Sequence, residues 1–166
     1  LVRNKIIKNY KFEFNQISSD ISSNLDFNEW KELYKRIVYW ELEIGSEIGV
    51  EINDILEMQK TQANNQFCKF VINNYKSWLN NDNSPTLSNK LFELKVFPEL
   101  KKNQTLYFVL IDNLRYDQWK IISSLVLEDF NLIDDDIYYS ILPTSTQYAR
   151  NSLFSVYFHS KVYGND

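Results

Sequence analysis

Two side chains stand where chemistry could happen. Asp112 closes an unbroken apolar run, Leu106-Tyr107-Phe108-Val109-Leu110-Ile111. Thr146 closes a hydroxyl cluster, Pro143-Thr144-Ser145-Thr146, after a second β-prone run, Ile137-Tyr138-Tyr139-Ser140-Ile141-Leu142. Open α/β sheets bind ligands at the carboxyl ends of their strands, and a carboxylate there can hold a hard or borderline cation. Asp112 could equally N-cap a helix beginning near Leu114. Thr146 falls at or just before a helix N-terminus, where free N–H groups favour an anion. Its hydroxyl becomes a nucleophile once a metal or base takes its proton. The plainer alternative makes Thr144, Ser145 or Thr146 a simple N-cap. On adjacent parallel strands Asp112 and Thr146 would share one sheet edge, within reach of one ion. That pairing suggests a metal-activated hydroxyl attacking phosphorus.

The elements that must position this pair read strand, helix, strand, helix. Residues 106–111 lack polar alternation, as does a parallel strand buried on both faces. Residues 114–130 carry a helical pattern with room for one crossover. Asn131-Leu132-Ile133-Asp134-Asp135-Asp136 is the return loop, its acids in solvent, and residues 147–154 are helical again. Upstream, Ile6, Tyr10, Phe14, Ile17 and Ile21 make one helical face, which the serines near residue 22 weaken. Asp26 and Glu29 have capping-box spacing. Phe27, Trp30, Leu33, Tyr34, Ile37, Trp40 and Ile44 form the next stripe, and Gly45 is its stop. A third helix spans residues 52–79 and ends at Asn80-Asn81-Asp82-Asn83-Ser84-Pro85. The expected architecture is α plus α/β: a three-helix bundle followed by a first β-α-β unit. Its parts are a bundle at 1–80, a connector with a short helix at 81–104, the start of an α/β domain at 105–155, and a tail at 156–166. Lys101-Lys102-Asn103-Gln104 is the turn into the first strand.

Composition narrows the function classes. Hydrophobic residues are 44% and aromatics 16%, enough to bury a core. Three Gly and three Pro favour long helices over an all-β fold. A net charge of −4 leaves no basic face for duplex nucleic acid, although a bound metal could supply local positive charge. The single Cys68 cannot form an internal disulfide, which suits a reducing compartment. Basic residues interrupt the first ten positions, so they are no signal peptide, and no run is long enough for a bilayer. A cytoplasmic location is expected. The chain does not begin with Met and is expected to be a piece of something longer.

The segment Ile111-Asp112-Asn113-Leu114-Arg115-Tyr116-Asp117 resembles the first motif of PglZ domains, a branch of the alkaline phosphatase superfamily. Leu142-Pro143-Thr144-Ser145-Thr146 resembles that superfamily's nucleophile segment. The longer runs from Ile111 to Trp119 and from Tyr138 to Asn151 are similar to PorX-type response regulators of Bacteroidetes. In that group a three-helix bundle joins a receiver domain to a PglZ domain. Phe27-Asn28-Glu29-Trp30-Lys31-Glu32-Leu33-Tyr34-Lys35 and Val38-Tyr39-Trp40-Glu41-Leu42 resemble that bundle. The likeness runs from residue 1 to about 155 and stops there.

The resemblance implies that Asp112 is a zinc ligand and that Thr146 is both metal ligand and nucleophile, forming a phospho-enzyme. It makes Arg115, Arg150 and Asn151 weaker candidates for holding phosphate; Arg115 could equally pair with Asp117 or Glu128. Two zinc ions are implied for an intact site, of which this chain holds at most a part. Substrates would be nucleotide or oligonucleotide phosphodiesters, in a protein controlling type IX secretion. A receiver domain and a histidine kinase are the implied signalling partners, and a homodimer is possible. The family draws further Asp and His ligands from downstream. Here the only His is His159, read as an ordinary boundary residue. The chain is therefore expected to be an inactive fragment. The rival reading is a helical dimerisation or signal-relay module without chemistry.

Overall fold

The structure, a computed structural model, describes residues 2–45, 50–80, 83–102 and 105–163. Asn81, Asp82, Asn103, Gln104 and the end of the tail, Gly164 to Asp166, lie outside them. The described helices are α1 (Val2–Ser22), α2 (Phe27–Ile44), α3 (Val50–Trp78), α4 (Phe97–Leu100), α5 (Tyr116–Val126) and α6 (Thr146–Tyr163). The chain divides into two units, Leu1–Asp82 with Tyr116–Ser124, and Asn83–Arg115 with Leu125–Asp166.

The first unit is the expected bundle. Its core is the aromatic and aliphatic stripe of the three helices, with Tyr10, Ile17, Trp30, Leu33, Trp40 and Leu56 all buried. Trp30 meets Phe67 edge-on, ring centroids 5.4 Å apart. Burying residues of this size stabilises by about 1.5–3 kcal/mol each. The capping box forms: the Asp26 side chain accepts from the Asn28 and Glu29 N–H groups, and Glu29 Oε2 accepts from the Asp26 N–H at 2.8 Å. Gly45 ends α2 with φ 52°, a conformation costly for residues with a Cβ, and donates to Glu41 O.

Polar residues fix how the three helices meet. Gln59, only 1% exposed, accepts from Tyr10 Oη at 3.2 Å and donates to Phe14 O and Ser18 Oγ. Each atom of its amide is thus used, which a buried amide requires. Arg36 on α2 donates to Glu13 and Asp20 on α1, and Lys60 on α3 donates to Glu41 on α2.

In the second unit the connector winds unevenly. A 3-10 turn at Ser88–Lys90 leads into a π-helical turn at Phe92–Val96, then α4. The Phe97 N–H donates to Phe92 O, five residues back. This wider turn brings Phe92 and Phe97 edge to face, ring centroids 6.1 Å apart. On an α-helix, residues five apart would point about 140° away from each other. The connector was read as carrying one short helix; it holds three kinds of turn.

The expected β-α-β unit does not form among the described residues. Residues 106–111 pair with no strand and are exposed, Val109 by 79%. A strand is defined by ladder bonds to a neighbour, and an apolar run alone does not supply one. The second run pairs elsewhere: Tyr139 makes a parallel bridge with Leu87, through Ser88 N–H to Tyr139 O and Tyr139 N–H to Thr86 O, both 2.9 Å. The crossover helix begins at Tyr116, two residues later than expected, and most of it groups with the bundle, Tyr116 lying 6.2 Å from Tyr34.

Candidate functional site

Asp112 sits in a turn at the end of the first run, exposed. The next residue, Asn113, has φ 58°. Asn tolerates the left-handed region better than most residues, so the chain can reverse directly after the carboxylate. With α5 starting at Tyr116, its N-cap position is residue 115. The capping alternative for Asp112 is thereby removed, and its carboxylate bonds to no described residue.

Thr146 is the first residue of α6. Ser145 holds the N-cap position, its carbonyl accepting from Tyr148 and Ala149 at 3.0 and 2.9 Å. Among the three hydroxyl residues, the N-cap reading thus fell on Ser145 and left Thr146 exposed. The N–H groups of Thr146 and Gln147 have no acceptor among the described residues, as the first turn of any helix dictates. Arg150 lies one turn along the same face, exposed and without an ion-pair partner among the described residues. Asn151 is rotated about 100° further round α6. Arg115 is exposed on the other segment.

A hydroxyl network holds this helix in place. Ser88 Oγ and Ser152 Oγ are 2.9 Å apart in the interior. Ser88 Oγ also accepts from the Ile141 N–H at 3.1 Å, and Ser152 Oγ donates to Ala149 O at 2.7 Å. One buried serine thus joins the connector, the run leading to Thr146 and the helix that Thr146 begins. Sequence reasoning missed it, because a serine before a turn is ordinarily a cap. Burial also pushes the Tyr138 phenol up in the same run.

An aromatic cluster links the two functional segments. Phe92 lies 4.9 Å from Phe108 and 5.1 Å from Phe154, and Phe108 lies 6.4 Å from Phe154. Asp112 is at most about 13 Å along the chain from Phe108. Thr146 is about 12 Å along α6 from Phe154. No hydrogen bond joins Asp112 to Thr146.

Zinc sites take three or four protein ligands. No group of three His, Cys, Asp or Glu among the described residues could hold a metal ion. Asp112 and Thr146 alone do not amount to a zinc site.

Two family models match the chain. Residues 91–163 match the family model of the BREX system PglZ alkaline phosphatase-like domain, so this part of the chain is alkaline phosphatase-like. Residues 1–79 match the model of the PorX response regulator linker domain. The chain thus resembles a PorX-type linker followed by PglZ-type sequence. The second match continues to residue 163, beyond the point where the likeness had been read to stop. No curated protein matches the chain. No described helix is long and apolar enough to cross a membrane.

Proposed function

We propose that residues 91–163 are the opening part of a phosphodiesterase domain in a response-regulator output protein, with Thr146 as its nucleophile. The observation that carries this is the exposed start of α6 within a PglZ-type match. A phosphate placed over that end meets the N–H groups of Thr146 and Gln147, and Arg150 can reach it from one turn away. These donors hold the anion in line with the Thr146 hydroxyl. Asn151 and Arg115 are secondary phosphate contacts.

Asp112 is a zinc ligand in this proposal, and further ligands come from outside the described residues. When bound, zinc supplies Lewis acidity. With two donors, the present chain does not hold it tightly and does not turn over. In the intact protein the substrates are nucleotide or oligonucleotide phosphodiesters, and the setting is cytoplasmic control of type IX secretion through a receiver domain and a histidine kinase.

Calorimetric zinc titration, with a nucleotide-diester assay on this chain, is expected to show neither stoichiometric binding nor hydrolysis. A longer PglZ-type protein carrying the remaining Asp and His ligands hydrolyses the diester, and Thr146→Val abolishes that. Turnover by the present chain, or unchanged turnover in the longer Thr146→Val protein, refutes the assignment.

The bundle supports a second reading. It has its own core and a fully bonded buried Gln59, as a self-sufficient relay module would. Loss of signalling in Thr146→Val, with no hydrolysis by the unmutated protein, would favour that reading.

A further inference from the structure

Helix α5 belongs by sequence to one part of the chain and by packing to the other. It lies within the PglZ-type match at residues 91–163, yet its residues 116–124 group with the bundle. Tyr116, Trp119, Ile122 and Ser123 are half-buried and recur at spacings of three and four, so one stripe of α5 is covered. Ile121, on another side, is 60% exposed. The matching surface is on α2. Tyr34 and Val38 stand one turn apart there, each following a core residue, Leu33 or Ile37, by one position. They therefore lie about 100° round α2 from the bundle core. Val38 is nevertheless only 3% exposed, and it belongs to neither apolar core. Of the described elements of the first unit, α5 is the one left to cover it. The Tyr34 ring lies 6.2 Å from the Tyr116 ring, and Lys120 Nζ lies 5.0 Å from that same Tyr116 ring.

We propose that this seat on α2 makes Tyr34 a positioning residue for Asp112. The inference takes the role of Asp112 from the hydrolase reading, but the seat itself does not depend on that reading. Three residues, 113–115, separate Asp112 from Tyr116, and the chain passes from one unit to the other between Arg115 and Tyr116. Asn113 is in the left-handed region at φ 58°, so the connection is a turn and not an extended tether. Whatever holds the start of α5 therefore limits where the carboxylate can go. Thr146 is held differently: it begins α6, which Ser152 fastens to Ser88 and Phe154 to Phe92. A shift of α2 moves Asp112 through α5 and leaves Thr146 where the second unit holds it. The linker bundle thereby gains a route to one member of the pair.

NMR on the whole 166-residue chain tests the seat without any turnover. Tyr34→Ala is expected to speed amide exchange at residues 120–124 about tenfold and to shift the resonances of residues 112–114. The resonances of residues 145–147, and exchange at Leu33 and Ile37 in the bundle, should not change. Val38→Asp puts a charge into the same seat and should give the same pattern, larger. Tyr116→Phe keeps the ring and should leave all of these as they are. Tyr34→Ala combined with Tyr116→Ala should be no worse than Tyr116→Ala alone, because the two rings share one contact. In the longer PglZ-type protein, Tyr34→Ala should lower kcat about tenfold at unchanged KM, and Tyr116→Phe should not. Unchanged α5 exchange in Tyr34→Ala overturns the seat. Faster α5 exchange with unshifted residues 112–114 overturns the link to Asp112. Unchanged kcat in Tyr34→Ala, where Thr146→Val abolishes turnover, overturns the positioning role. If Thr146→Val leaves turnover intact, it is the hydrolase reading that fails, and the NMR outcomes still decide whether α2 holds the turn.

Discussion

Replacing Ser88 by Ala should loosen the segment that delivers Thr146 while leaving the bundle untouched. Ser88 is 1% exposed, and its Oγ is the acceptor for the Ile141 N–H and the neighbour of Ser152 Oγ. Ser152 keeps its bond to Ala149 O after the substitution, so one group, the Ile141 N–H, is orphaned. An orphaned donor costs about 1–3 kcal/mol, and the half-buried setting of Ile141 puts this case near the middle, about 2 kcal/mol. Amide hydrogen exchange followed by NMR reads this directly. At about 1.4 kcal/mol per factor of ten, the Ile141 amide should exchange about thirtyfold faster. The Tyr139 amide, bonded to Thr86 O in the same bridge, should follow it. Ser152→Ala is the control: it removes the hydroxyl pair but leaves Ile141 its acceptor, so its effect there should be several times smaller. Unchanged Ile141 exchange in Ser88→Ala, or an equal effect from Ser152→Ala, would refute the reasoning.

Burial pushes the Tyr10 phenol from its ordinary 10.0 up to about 12. The folded-state value is the higher one, so the contribution is complete below about pH 10 and drains away as pH rises through about 12. Urea unfolding from pH 9 to 12 should show a loss of up to about 3 kcal/mol, and Tyr10→Phe should flatten it. Asp26→Ala breaks the capping box and should lower bundle stability by about 1 kcal/mol in the same assay. Phe92→Ala should cost the second unit about 3–5 kcal/mol, seen as new proteolytic cleavage within residues 83–102 while the bundle stays resistant. Arg36→Met should cost under about 1 kcal/mol, because the guanidinium is a third exposed, and 1 M NaCl should erase most of the difference.

The features legible in the sequence are those set by neighbouring residues. The Asp26–Glu29 box, the Gly45 stop and the Tyr10-to-Ile21 face depend on spacings of three and four, and all appear as read. What failed depends on partners distant in sequence. Residues 106–111 have a strand's composition, but no described segment offers them a ladder. Leu87, which does pair with the second run, stood in what was read as a connector. Gln59 and Ser88 are the deepest polar residues of their units, yet polarity alone would have placed both at the surface. At the candidate site, the place of Thr146 at the head of a helix was readable to within a residue. Asp112 follows the first run in a turn, and of its two readings the N-cap one required a helix start nearer than Tyr116.

The widened turn at Phe92–Val96 has a consequence for how this stretch tolerates changes in length. It holds one residue more than regular winding would. Removing Leu94, which is half exposed, would leave Phe92 and Phe97 four positions apart, a spacing that keeps two rings on one side of an ordinary α-helix. Elsewhere in a helix a single deletion swings everything beyond it by about 100°. Here it would be absorbed, and the ring contacts that tie Phe108 and Phe154 to this turn would survive the shortening.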